Sequence, residues 1–250
     1  MSVVNKFRYK IILEYLGAGF CGWQKQTEAL SIQQVVEEAI YKFSKENVLI
    51  TAAGRTDAGV NAYGQVASFD LTVEHEPHNV MYSINHFCKP YKIGVTDCTL
   101  VDSEFNARFS AKHRHYVYKI LNRRAPNIIN AGLQCWIMDH LDINLMRKGA
   151  SYLIGKHDFT SLRATQCQSN SPVKTISNIE IIRNGDNIEI YVSAISFLHH
   201  MVRNIAGNLL HVGKGHWPPE KIQEILDSKD RTKGAPTAPA EGLYFLKVDY

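Results

Sequence analysis

The chain has 250 residues, 45% of them apolar and 21% charged, a balance that fits folding around a sizeable core and excludes wholesale disorder. Its length allows one large domain or two of ordinary size. Lys and Arg number 28 against 24 Asp and Glu, a net charge of +4, which alone announces no polyanionic partner.

The first element is Phe7–Tyr15 (FRYKIILEY), a β-rich run bounded by Gly17-Ala18-Gly19, and it predicts a strand. Ser31 stands three residues before Gln34, the spacing of a capping box. Ile32, Val35, Val36, Ala39, Ile40 and Phe43 then recur at helical intervals, which predicts a helix over about 31–44. Val48–Thr51 is a short strand, Ala53–Ala62 a loop, and Gln65–Phe69 an alternating strand. Pro77 opens a helix to about Phe87, and Ile93–Val101 is a strand. The order β-α-β-β-α-β is that of a split ferredoxin-like unit.

The second half repeats the order with one extra helix. His115–Leu121 alternates as a strand. Asp142 caps a helix that runs to Ile154, with Gly155 as its stop. Thr175–Arg183 and Ile188–Ile195 flank Asn184-Gly185, a strong hairpin signal. A helix over about Leu198–Val212, a shorter one after Pro218-Pro219, and a strand at Leu243–Asp249 complete the chain. The expected class is α+β, with residues 1–110 and 111–250 as two ferredoxin-like halves. Their antiparallel sheets are expected to join, with an active-site cleft between them.

The N-terminal stretch Met1–Lys10 enters an alternating segment directly and reads as no signal peptide. No run reaches the roughly eighteen apolar residues of a membrane helix. The five cysteines are scattered without a C-x-x-C pair, so free thiols in a reducing cytoplasm are expected. His113-x-His115 and His199-His200 come with no obvious carboxylate ligand, so no metal is expected. A nucleotide-binding Gly-rich fingerprint is also missing.

The distribution of charge says more than its sum. No acid lies between Glu104 and Asp139, a span that holds Arg108, Lys112, Arg114, Lys119, Arg123 and Arg124 among Phe105, Phe109, Tyr116 and Tyr118. Acid-free spans also run from Asp158 to Glu180 and from Glu189 to Glu220. Cations hold phosphates and aromatic faces stack on splayed bases. A localised polyanion-binding surface is therefore expected, or else a solvated basic face.

The loop from Ala53 to Gln65, AGRTDAGVNAYGQ, lies between two predicted strands. Arg55 and Asp57 are two apart and would point the same way in an extended segment. A nearby arginine keeps a carboxylate ionised, and an ionised, positioned Asp suits a nucleophile or general base. An Asp in a Gly-rich turn also commonly serves the turn alone.

Gly54-Arg55-Thr56-Asp57-Ala58-Gly59-Val60 is similar to the signature of the tRNA pseudouridine synthases that act on positions 38, 39 and 40 of the anticodon stem-loop. Five further blocks resemble that family in order. They are Tyr15…Phe20-x-Gly22-Trp23-Gln24-x-Gln26, then Phe105-x-Ala107-Arg108-Phe109-Ser110-Ala111 with Arg114-x-Tyr116-x-Tyr118. Next come Asp158-Phe159-Thr160-Ser161…Gln166-Cys167-Gln168-Ser169, then Phe197-Leu198-His199-His200-Met201-Val202-Arg203-Asn204, then Ala240-Glu241-Gly242-Leu243-Tyr244. Asn61 departs from the family's usual His, and Cys88-Lys89-Pro90 from its usual Leu-Pro.

The resemblance implies an isomerase of the pseudouridine synthase fold that acts on tRNA, as a homodimer and without a cofactor or metal. The reaction moves ribose C1′ from uracil N1 to C5, is redox-neutral, and requires the base to be flipped out. By resemblance Asp57 is the catalytic carboxylate. Tyr118 lies against the uracil and assists proton transfer. Arg203 pairs with Asp57. Arg55 fills the space of the flipped nucleotide, and Arg108, Lys112 and Arg114 hold phosphates. The alternative is a non-catalytic RNA-binding protein built from two ferredoxin-like halves. The aromatic RNA-recognition strand signature is not found.

Overall fold

The computed structural model describes residues 6–250. The first five residues of the N-terminal reading lie outside the described residues. The chain is α+β and divides into two compact units: the residues up to Lys112 together with Phe245–Tyr250, and His113–Tyr244.

The first unit begins with β1 (Phe7–Tyr15), the span its alternation predicts. Tyr9, Ile11, Leu13 and Tyr15 are buried, as a period of two requires. In α1 (Ile32–Ser44), Ser31 accepts the Gln34 amide at 3.2 Å, so the expected cap forms. The side chain of Gln34 turns instead to Glu38 at 2.9 Å, so the box closes from one side. Next come β2 (Thr51–Ala52), β3 (Asn61–Leu71), α2 (Pro77–Cys88) and β4 (Ile93–Val101).

Two expectations change here. The strand expected at Val48–Thr51 is only the two-residue β2, and β3 starts four residues before Gln65. Both follow from competition for one edge of β3. The strand order is β4-β1-β3, with β10 (Leu243–Asp249) next along. β2 pairs only at Ser68 and Ala67. Further along, Gly64 lies against the backbone of Leu246, where an added Cβ would come within 2.6 Å of the carbonyl oxygen. A side chain there would push β10 off. α2 packs on β4 and α1.

The second unit runs β5 (His113–Asn122), β6 (Cys135–Ile137), α3 (Ile143–Ser151), β7 (Gly155–Asp158), β8 (Val173–Asn184), β9 (Asn187–Ala194), α4 (Met201–Gly213) and α5 (Lys221–Ser228). The order β5-β9-β8-β7 is antiparallel, and β6 adds in parallel to the end of β5. β6 and β7 are strands that the sequence pattern does not announce, because each is too short for alternation to register. Asp142 caps α3 as expected, accepting from Asn144 and Leu145. The helix ends at Ser151, and Gly155, at φ +106°, opens β7 instead of closing α3. In the β8–β9 hairpin Asn184 pairs with Asn187, so the two-residue turn is Gly185-Asp186, one residue beyond the expected pair. Gly185 supplies the positive φ, +58°.

Candidate active site

The Asp57 loop is fastened into the first unit from several sides. Asp57 forms an isolated antiparallel bridge with Gly22. Beside it Trp23 N donates to Thr56 O at 3.0 Å. Gly22 has φ +108°, and a Cβ there would stand 2.5 Å from Thr56 O and 3.0 Å from the Asp57 carbonyl carbon. Only glycine lets the two segments approach this closely. Trp23 is buried and tilts against Tyr15 at 6.1 Å, which suits the structural role its chemistry suggests.

Below the loop, the Tyr15 hydroxyl bonds the Thr56 hydroxyl at 2.8 Å. Burial drives the Tyr15 phenol up to about 12, against the lowering effect of the Thr56 bond. Gln65 donates to Gly54 O at 2.7 Å, and Ala53 N donates to Val66 O at 2.8 Å. The loop closes where Val60 N donates to Asp57 O at 3.1 Å. Asn61, the departure from the family pattern, is 1% exposed, and its Oδ1 accepts Gly17 N at 2.8 Å. It serves the backbone behind the loop. A buried amide in that position offers nothing to solvent.

Asp57 is partly exposed at the end of this scaffold, and Arg55 is exposed. Among the described residues Arg55 forms no ion pair with Asp57. The residues are two apart, but the segment that holds them is not a continuous strand.

Tyr118 and Arg203 belong to the second unit, and one short segment holds both. Tyr118 on β5 is fully buried and donates to Pro239 O at 2.9 Å. Its ring lies on Gly242, where a Cβ would meet Tyr118 Cζ at 2.8 Å. Burial, with Cys135 beside it, pushes the phenol up, so its hydroxyl stays protonated and is a poor proton acceptor. Tyr116, two residues earlier on the same strand face, keeps 7% exposure and meets Phe197 edge-on at 5.0 Å. Arg203, in the first turn of α4, donates from Nε to Ala238 O at 2.8 Å. α4 itself starts from His200, whose φ of +63° is uncommon for a residue with a side chain.

The basic residues divide in space. Lys119 pairs with Glu189 at 3.6 Å, Arg123 with Asp186 at 3.7 Å, and Lys214 with Asp139 at 2.9 Å. These cations come from acid-free sequence spans but are met by acids from neighbouring strands and loops. Arg108 and Lys112 are exposed, and Arg108 stacks over the largely exposed Phe109 at 5.4 Å. Arg114 donates to Ile195 O at 2.5 Å. The stretch from Arg108 to Lys112 is thus an exposed part of the central span with the expected cation–aromatic character.

A family model described as tRNA pseudouridine synthase matches residues 11–110 and 150–250. The chain is 50% identical over 244 residues to "tRNA pseudouridine synthase A" of Ehrlichia canis (strain Jake), covering 97% of this chain and 100% of that one. It is 49% identical to the protein of the same name from Ehrlichia ruminantium (strain Welgevonden), covering 97% and 99%. A solved structure titled "Crystal Structure of a Cbf5-Nop10-Gar1 Complex" superposes with a TM-score of 0.37 at 11% identity, over 81% of this chain and 45% of that one. That score adds nothing to the assignment. The family match and the full-length relatives establish that the chain belongs to the tRNA pseudouridine synthase family, whose members are isomerases.

Proposed function

We propose that this chain isomerises uridine to pseudouridine at positions 38, 39 and 40 of the tRNA anticodon stem-loop. The observation that carries the proposal is the fixed yet partly exposed Asp57 in its Gly22–Trp23 cradle. A positioned carboxylate costs little reorganisation when the flipped uridine arrives. Family membership sets the binding-only alternative aside.

In this reading Asp57 is the catalytic carboxylate and Arg203 its ionic partner. The two units correspond to the ferredoxin-like halves expected from the sequence. Arg55 enters the space of the flipped nucleotide, and Arg108, Lys112 and Arg114 contact phosphates. Arg55's exposure and lack of an ion pair with Asp57 support its share. The family motif puts the uracil-facing ring and the proton transfer at Tyr118. Burial and the bond to Pro239 oppose that placement, so we assign the ring to Tyr116 on the same face. Tyr118 then ties the strand to the Pro239 carbonyl. The enzyme acts in the cytoplasm as a homodimer that holds tRNA across both copies.

The test is mass spectrometry of anticodon-arm fragments from tRNA lacking the modification, before and after incubation with the protein, each treated with a carbodiimide and then alkali so that pseudouridine alone keeps a mass tag. Conversion at 38–40 supports the reading. Conversion only at other positions contradicts it. Light scattering of the active protein checks the dimer, and a fully active monomer refutes it.

A further inference from the structure

The segment Ala235–Pro239, with its two prolines, is strapped along α4 by bonds that the chemistry of Asp57 does not itself require. Asn204, the residue after Arg203, is fully buried. Its Nδ2 donates to Leu162 O at 2.8 Å, and its Oδ1 accepts from Thr237 Oγ1 at 2.7 Å and from Arg231 Nη2 at 3.0 Å. Arg231 Nη2 also reaches Thr237 Oγ1 at 3.1 Å. One turn on, Asn208 accepts Ala235 N at 2.9 Å and donates to Asn204 O at 2.7 Å. Gly207 lies under Pro236, where a Cβ would come within 2.2 Å of its carbonyl oxygen.

The clamp ends on two consecutive carbonyls. Ala238 O takes Arg203 Nε at 2.8 Å, with Ala238 N returning a bond to Arg203 O at 3.2 Å. Pro239 O takes the Tyr118 hydroxyl at 2.9 Å. An Nε–H bond fixes the plane of a guanidinium, and with it the direction of its remaining donors. The prolines restrict the strap's backbone, so a displaced Thr237 shifts Ala238 with it. Among the described residues Arg231 has no carboxylate partner, and its guanidinium is spent on two neutral oxygens in this network.

We propose that Thr237, held by Asn204 and Arg231, is a positioning residue that sets the orientation of Arg203 through the Ala238 carbonyl. The inference rests on the reading that Arg203 serves the Asp57 carboxylate. It acts on the rate of the chemical step and leaves tRNA affinity alone, because none of these bonds needs the substrate.

The experiment compares Thr237→Val with Thr237→Ser in the full-length protein, well below the thermal midpoint of each. Single-turnover rates and the tRNA Kd are both measured. Thr237→Val is expected to lose about tenfold or more in rate, with the Kd within about twofold of wild type. Thr237→Ser, which keeps the hydroxyl, restores the rate. In an Arg203→Lys background Thr237→Val should have little further effect, since both act through one guanidinium. A wild-type rate for Thr237→Val, or an equal fold-loss in both backgrounds, overturns the proposal. So does a parallel loss of binding and rate. A wild-type rate for Arg203→Lys overturns the parent reading of Arg203 and this one with it. Slow Arg203→Lys beside fast Thr237→Val overturns this one only. If Thr237→Val does not fold, Arg231→Met carries the same comparison.

Discussion

Gly22 and Asp57 share an isolated bridge, and the bare Cα of Gly22 is what permits it. The carboxylate's position is therefore encoded some thirty-five residues upstream of it in sequence. Gly22→Ala brings a Cβ to 2.5 Å from Thr56 O at a φ of +108°. The loop must shift, at a cost of about 2–4 kcal/mol in stability. Because a displacement of about 1 Å can cost a hundredfold in rate, activity should fall further than the stability loss explains. Urea denaturation and single-turnover rates on the same preparation check this. A stable, fully active variant contradicts it.

Asn61 holds Gly17 N behind the same loop. Asn61→Leu orphans a buried amide and should cost about 1–3 kcal/mol. A residue with only 1% exposure makes no direct contact with RNA, so the Kd for tRNA should stay near wild type wherever the variant is folded. Thermal melts and filter binding separate the two effects. A large Kd change in a folded variant would return Asn61 to the RNA surface.

Tyr15 gives a pH dependence. Its folded-state phenol is raised to about 12, whereas an unfolded tyrosine titrates near 10. The neutral form is the one that the fold favours. Its stabilising share is therefore complete below about pH 10 and is lost as pH rises toward 12, at up to roughly 1.4 kcal/mol per pH unit. Tyr15→Phe lacks this titration. The stability gap between the two proteins should narrow from pH 10 upward in denaturant titrations. A constant gap contradicts the assignment.

Tyr116 and Tyr118 are distinguished by their surroundings. Tyr118→Phe removes the bond to Pro239 O and should cost about 1 kcal/mol of stability. Its rate should stay within a fewfold of wild type, apart from any loosening of the strap. Tyr116→Ala should lower the single-turnover rate strongly, since a stacked ring contributes about 1–3 kcal/mol per base. The opposite ranking restores the uracil to Tyr118.

Much of the fold is legible in the chain. β1, β4 and β10 begin and end where their alternating residues and flanking breakers place them. Ser31 and Asp142 mark their helix starts because a cap is local chemistry. What the sequence hides is non-local. β2 is cut short because β10, nearly two hundred residues later, takes the rest of the β3 edge. The acid-free spans read as basic surface until Glu189, Asp186 and Asp139 arrive from other elements. The Asp57 loop is visible as a motif, but its cradle is not. Gly22 stands in a motif and Asn61 departs from one, but the part each plays in holding the loop shows only in the close approaches of the folded chain. Tyr116 and Tyr118 share one strand face, and only their partners and degree of burial in the folded chain tell them apart.

The central claim is that the Asp57 carboxylate performs the chemistry. The most direct measurement is tritium release from tRNA labelled at uracil C5, with Asp57→Asn compared with wild type under single turnover. Asparagine keeps the shape and the backbone bridge to Gly22 while removing the charge. The account predicts no release above background from Asp57→Asn, with tRNA affinity retained. Release at the wild-type rate would contradict it.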